Sequence, residues 1–594
     1  MNVTPDGHAG NLPEWDLSDL YASPDAPELD ADLRDATVAV AAFHDAYAGH
    51  VAEKTGVELA RAVAEYERIQ ETFGRVLAYA YLRYAAEIGD AARGTFLQDM
   101  QEKTNAIGTQ ILFFTLEINR LAEDALAEKL RTPALAAYGP WLRDVRVFRD
   151  HQLSDDLEKI LHEKQLSGRA AWTRLFDETM AALRFDVDGK ALTETEVLDL
   201  LTSPDAAVRK KAAKALGKVF AENARLFALI TNTLAKDKAI EDVWRKFARP
   251  VSSRNLENHV SDDVVAALAT AVRNACPQLS HRYYAWKARL FGVEALDYWD
   301  RNAPLPDQET RPIPWTEAVA TVLEAYGNFS PEMASLGQRF FDAPWIDAGP
   351  RPGKASGAFA HPTVPSHHPY LLLNYQEKPR DVMTLAHELG HGVHQLLAGP
   401  QGLLLSDTPL TLAETASVFG EMLTFRCLLA KEDNRLNRRN LIAMKVEDML
   451  NTVVRQIAFH TFEERVHDER RGGELSVARL SDIWMEVQRE SLGPAIRFDE
   501  GYRCYWTYIP HFIHSPFYVY AYAFGDCLVN SLYAVYESGE ADFVQKYFDL
   551  LRAGGTQWHG ELLAPFGLDA SDPAFWERGL GMISGLIDDL ESLS

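Results

Sequence analysis

Cysteine is scarce. Four residues, Cys276, Cys427, Cys504 and Cys527, stand far apart in a chain of 594, with no CxxC pair. That spacing excludes a disulfide framework and is expected of reduced, mostly packed thiols in a cytoplasmic protein. Positive charge is also short: Lys and Arg total 60 against 86 Asp and Glu, a net −26. So acidic a chain argues against nucleic acid as a partner, since phosphate binding needs a positive face. It argues equally against an anionic membrane surface. No apolar run is long enough to span a bilayer. The opening MNVTPDGHAGNLPEWDL lacks the basic stretch and apolar run of a secretory signal. Fixed-period repeats are missing too, so a regular solenoid is not supported. What is present is ordinary for a globular protein, with 47% hydrophobic and 25% charged residues. The length exceeds one compact core and predicts two or more lobes.

Most of the chain carries helical periodicity. Residues 57–87, 93–130 and 203–247 repeat apolar positions at helical spacing with charges between, the last opening on a Ser-Pro start signal. Punctuation changes near the middle, where 295–315 is proline-rich and 343–375 mixes Gly, Pro and Ser. Leu371–Tyr375 is the strand expected there, and helical patterns resume at Asp381. The fold class is therefore mostly α, with a small sheet just before the segment VMTLAHELGHGVHQLL, 382–397.

That segment reads as one helix, capped by Asp381 and stopped by Gly399-Pro400. His387 and His391 lie four apart, so at 3.6 residues per turn both imidazoles leave nearly the same face and can meet one metal ion. Glu388, one residue on, falls beside such an ion, suited to accept a proton from a metal-activated water. His394 reads as packing rather than as a ligand. His361, His367 and His368 in the preceding loop read as surface histidines.

Two histidines leave a catalytic zinc site one protein ligand short. The HExxHxxGxxH pattern does not supply it, because Leu397 stands six after His391. The next helical stretch, TPLTLAETASVFGEMLTFRCLLAKED, offers Glu414 and Glu421, two turns apart on roughly one face. Spacing favours Glu414 but leaves both open. It also leaves a capping box in which Glu414, three after Thr411, bonds only the backbone.

HELGHGVHQ followed by TLAETASVFGEML resembles the thimet-oligopeptidase family of zinc metallopeptidases, most closely its bacterial oligoendopeptidase F branch. WDLSDLY, RNLEN, GAFA with YLLLNY, and IPHFIHSPFYVYAYAFG agree with that branch, so the resemblance runs over nearly the whole chain. It implies a zincin-like metallopeptidase fold of two helical lobes enclosing a deep channel, with a small β-sheet next to the metal-binding helix. The expected division is an N-terminal helical lobe, 1–195, and a catalytic domain, 196–594. The resemblance makes Glu414 the third ligand of one Zn2+ per chain and Glu421 a carboxylate behind the ligands. Its pattern PHF…FYVY.Y points to His511, Tyr518 and Tyr522 as groups that bind the transition state. Tyr502, Tyr505, Tyr508 and Tyr520 crowd the same segment, where an aromatic stripe is more often core.

The expected activity is hydrolysis of internal bonds of short unstructured peptides by metal-activated water. Glu388 serves as proton acceptor and donor, His511 and the tyrosines steady the oxyanion, and Leu371–Tyr375 pairs with the peptide main chain. Two other readings stand beside it. One is a zinc carboxypeptidase or dipeptidase that anchors a free terminus on Arg503, Arg380 or Lys354. The other is a catalytically inactive peptide-binding helical protein.

Overall fold

The computed structural model describes residues 12–165, 167–306 and 311–593. The chain is mostly helical, with three small sheets among the described residues. It forms two compact units, each built from three separate stretches. The first unit takes the described residues of Met1–Arg149, Thr310–Lys431 and Gly539–Phe566; the second takes those of Asp150–Glu309, Glu432–Ser538 and Gly567–Ser594. The expected division at 195 does not coincide with these units, since residues on both sides of it belong to the second. Compactness groups segments by packing in space, and the chain passes repeatedly from one core to the other.

In the first unit, Gly56–Ala86 begins on a capping box: Thr55 Oγ1 accepts the Glu58 N–H at 3.3 Å and Glu58 Oε2 accepts the Thr55 N–H at 2.8 Å. Its apolar face joins Pro27–Tyr47 around Val40, Phe43, Leu59, Val63 and Phe114, all buried. The pattern over 93–130 is broken into Ala91–Gly108, Leu112–Arg120 and Glu123–Lys129, first by a tighter 3-10 turn at Thr109–Ile111 and then by Leu121 and Ala122, which turn extended.

The three-stranded sheet of this unit has the order Ile346–Asp347, Tyr370–Leu372, Phe359–His361. Tyr370–Leu372 runs parallel to the first, with Ile346 opposite Leu371, and antiparallel to the last, with Ala360 opposite Leu371. The expected strand at 371–375 is thus central, and both of its sides are taken. It has no edge to offer a peptide, which corrects the main-chain role given to it; Phe359–His361 is an edge strand of the sheet. That strand lies beside the histidine helix, Pro379–Ala398, where Gln395 Nε2 reaches the Ala360 carbonyl at 3.5 Å. Asp381 sits inside the first turn rather than capping it. Its carboxylate accepts the N–H groups of Lys378 at 3.0 Å and Gln376 at 2.7 Å, which satisfies donors the helix start leaves open.

The second unit is built on Ala206–Trp244, 39 residues in one helix, capped by Asp205, whose side chain accepts the Ala207 N–H at 2.8 Å. Val454–Gly472, Tyr520–Glu537 and Pro573–Ser592 complete its centre, with Trp576 and Phe524 fully buried. Phe185–Val187 and Lys190–Leu192 form a hairpin through Asp188 and Gly189, both at positive φ, the backbone a two-residue hairpin turn needs.

Candidate metal centre and aromatic cluster

The metal centre begins with how closely two helices of the first unit approach. The histidine helix packs along Thr415–Lys431. A Cβ on Gly390 would stand 2.5 Å from the Ala416 carbonyl oxygen and 2.7 Å from Ser417 Cα. One turn-length further along the second helix, a Cβ on Gly420 would meet the Tyr326 hydroxyl at 2.3 Å. That hydroxyl donates to the Ala386 carbonyl at 2.6 Å, just ahead of His387. The glycine in HELGH is therefore a contact residue. Gly390→Ala should gain about 1 kcal/mol of helix propensity yet lose more through overpacking, typically 1–3 kcal/mol. The expected net is a lower melting temperature, read by thermal unfolding; an unchanged or raised value would show that the helices do not need this approach.

Glu414 is not inside a helix. It ends the short helix Leu410–Ala413 with φ −80° and ψ 0°, and Thr415–Lys431 starts after it. Thr411 lies within the short helix rather than ahead of it, so it does not hold the N-cap position of a capping box. The carboxylate instead faces both imidazoles: Glu414 Oε2 is 3.4 Å from His387 Nε2 and 3.5 Å from His391 Nε2. Ser417 Oγ donates to the same oxygen at 2.6 Å. Among the described residues, His387, His391 and Glu414 are the group whose donor atoms all fall within 4.8 Å of one another. His394 is buried and outside this group.

Glu421 stands behind the group. His387 Nδ1 donates to Glu421 Oε2 at 3.3 Å, so the proton that a metal displaces is the one on Nε2, on the Glu414 side, which gives the tautomer a metal ligand needs. Burial alone would depress the His387 pKa, but the hydrogen bond to Glu421 and the charge of Glu414 hold it up at about 9. Burial wins at His391, pulled down to about 4. Glu414 is pushed up by burial and pulled further down by the charges of His391 and His387, ending below the usual carboxylate range. Two imidazoles and one ionised carboxylate converging in this way are a donor set for a divalent transition ion such as zinc.

Glu388, 6% exposed, is pushed by burial to about 7, although the His387 charge opposes this. The backbone N–H of Ala360, on the edge strand, faces it and also opposes that rise. Ser417, Ala360 and Gly390 are site residues that sequence reasoning missed; only Gly390, a glycine inside a helical pattern, carried a local signal.

His511, Tyr518 and Tyr522 belong to the second unit and cluster there. Their ring centroids are 6.1 Å apart for His511–Tyr518, 6.0 Å for His511–Tyr522 and 5.3 Å for Tyr518–Tyr522. The Tyr522 hydroxyl lies 3.5 Å from His511 Nε2. All three are half-buried, whereas Tyr502, Tyr505 and Tyr520 are buried. Burial separates the three from Tyr502, Tyr505 and Tyr520; Tyr508 is half-buried as well, but it stacks on Phe220 at 5.5 Å and lies outside the cluster. Burial and the Arg455 charge lower the His511 pKa, keeping the ring neutral. His514 points elsewhere, its Nε2 2.7 Å from Asp177 Oδ1.

Of the loop histidines, His368 pairs with Asp19 at 2.9 Å and stacks on Trp345, and His361 accepts the Thr363 N–H at 3.0 Å. All four cysteines are free. No helix among the described residues is long and apolar enough to cross a membrane.

The model of peptidase family M3 matches residues 200–582, and that of oligopeptidase F matches 117–185. Oligopeptidase PepF of Bacillus subtilis strain 168 is 26% identical over 563 residues, covering 92% of this chain and 82% of that one. A solved chain from Chlamydophila abortus has the same fold, with a TM-score of 0.87 over 98% of both chains at 22% identity. The crystal structure of oligoendopeptidase-F from Enterococcus faecium gives a TM-score of 0.72 over 95% of this chain and 98% of that one, also at 22% identity. With a family match over more than half its length, and with His387, His391 and Glu414 as a candidate donor group for a metal, the chain belongs to peptidase family M3, as a metallo-oligopeptidase.

Proposed function

We propose that the protein is a zinc-dependent endopeptidase that cleaves internal bonds of short, unstructured peptides. The observation that carries this reading is the convergence of His387 Nε2, His391 Nε2 and Glu414 Oε2, with buried Glu388 one residue after the first ligand. His387, His391 and Glu414 would hold the ion, which when bound supplies Lewis acidity toward the scissile carbonyl and a water that ionises near neutral pH. Glu388 takes the proton of the attacking water and returns it to the departing amine. A pKa near 7 suits both transfers. Glu421 keeps His387 in the tautomer that leaves Nε2 unprotonated.

His511, Tyr518 and Tyr522 are the hydrogen-bond donors proposed for the oxyanion. Their exposure and mutual clustering support this choice over the buried tyrosines. Phe359–His361 replaces 371–375 as the strand proposed to pair with the peptide, being an edge strand beside Glu388.

An exopeptidase needs a charged anchor for a free terminus. Of its three candidates, Lys354 is fully buried among Asp347 and the carbonyls of Gly349 and Leu373, and Arg503 pairs with Asp482. Both are engaged, which leaves Arg380, exposed in the first turn of the histidine helix, as the anchor the exopeptidase reading would need.

The test is hydrolysis of an internally quenched peptide blocked at both ends. Cleavage should stop on chelation and return with zinc. If only free-ended peptides are cut, the exopeptidase reading replaces this one.

A further inference from the structure

The segment between His511 and Tyr522 is held from behind by a set of buried and half-buried groups in the second unit. Helix Val454–Gly472 presents His460, Glu463 and His467 on one face, each buried. Three and four residues separate them, the spacing of one helical face. Phe517 packs onto this face, its ring 6.0 Å from His460 and 4.9 Å from His467, and is fully buried. Its backbone is left-handed, with φ 59°. An L-residue held there costs roughly 1–2 kcal/mol, so the surrounding contacts must over-determine the conformation. The contact made directly to that backbone is Glu463 Oε1, which accepts the Phe517 N–H at 2.8 Å.

The neighbouring peptide units are pinned as well. Arg254 Nε donates to the Pro516 carbonyl at 3.3 Å, and its guanidinium lies 6.0 Å from the centre of the Tyr518 ring. Arg169 donates to the carbonyls of Ile513 at 3.2 Å and His514 at 2.9 Å. A turn at Phe517 fixes where the next residue, Tyr518, is directed. It also sets how the chain enters the Tyr520–Glu537 helix that carries Tyr522.

We propose that Glu463 is a positioning residue: by holding the Phe517 N–H it fixes the left-handed turn that brings Tyr518 and Tyr522 beside His511. This rests on the reading that those three groups serve the substrate. Glu463 touches none of the reacting atoms, so its effect passes through the turn. A carboxyl and a carboxamide both offer an oxygen acceptor at this reach, whereas Asp falls one methylene short and Met offers no oxygen.

The experiment compares Glu463→Gln, Glu463→Asp and Glu463→Met with the wild type in kcat and KM on a blocked peptide, in bound zinc, and in amide hydrogen exchange over 515–522. Glu463→Gln should stay close to wild type. Glu463→Asp and Glu463→Met should lower kcat by roughly tenfold to a hundredfold, keep full zinc, and speed exchange in that segment. Tyr518→Phe is made in each background; its cost should be large in the wild type and small where the turn has been released. Glu463→Asp serves if the Met variant does not fold. If Tyr518→Phe, Tyr522→Phe and His511→Ala each leave kcat unchanged, the substrate reading of the cluster fails, whatever Glu463 does. If those variants are costly but Glu463→Asp and Glu463→Met keep wild-type kcat and exchange, the positioning role is overturned. Equal losses in Gln, Asp and Met variants would also overturn it, because Gln retains the acceptor.

Discussion

Glu388→Gln is expected to lower kcat by about 10³-fold while leaving bound metal and melting temperature at wild-type values. The two halves of that outcome come from different features of one side chain. Glu388 faces the Ala360 N–H, and a carboxamide of the same shape presents an oxygen to it equally, so the buried position is not disturbed. Glu388 is not in the donor group of His387, His391 and Glu414, so metal content is not at stake. What the carboxamide cannot do is gain and release a proton. The acid limb of the wild-type pH profile carries the same information. Burial pushes Glu388 up to about 7, and the deprotonated form is the one that can act as base. kcat/KM should therefore rise with pH as this group loses its proton. The limb should lie at or below pH 7, because a bound divalent cation favours the carboxylate. Steady-state kinetics with metal analysis checks both parts. A Gln variant within tenfold of wild type would remove Glu388 from the proton transfer.

The parts of this site legible in the sequence were those governed by local geometry. Four-residue spacing on a helix was enough to bring His387 and His391 together, and the structure has their ring centroids 4.9 Å apart. The third donor was legible only through resemblance. Glu414 and Glu421 share one helical pattern, and neither proline nor glycine marks the break that takes Glu414 out of the helix. The same blindness affects 93–130, where Leu121 and Ala122 interrupt the pattern without a breaker residue. The Asp188-Gly189 hairpin carried its turn chemistry openly, but flanking strands of three residues are too short to show an alternation. Which aromatics of 502–522 are exposed is decided by packing with segments far away in sequence. Glu463 stands 54 positions from the backbone it holds, beyond any local pattern.

The second large effect tests the choice that spacing alone left open. Glu414→Ala is expected to strip the metal and abolish activity, whereas Glu421→Gln keeps the metal with affinity lower by about 10- to 100-fold. Glu414 faces the Nε2 atoms of both histidines, at 3.4 and 3.5 Å, so its loss leaves two protein donors where a catalytic zinc takes three. Glu421 meets the opposite ring nitrogen of His387, at 3.3 Å. Its removal loosens the ring and lets the other tautomer compete, which weakens one ligand without deleting it. Neither substitution should unfold the first unit. Glu414 lies between two helices rather than inside one, and glutamine matches glutamate in shape at the buried 421 position. Zinc titration of the chelated proteins against a competing chromophore separates the two cases, with melting temperature as the control. Should the Glu421 variant lose its zinc while the Glu414 variant holds it tightly, the two carboxylates would exchange roles, and the ion would sit on the Nδ1 side of His387.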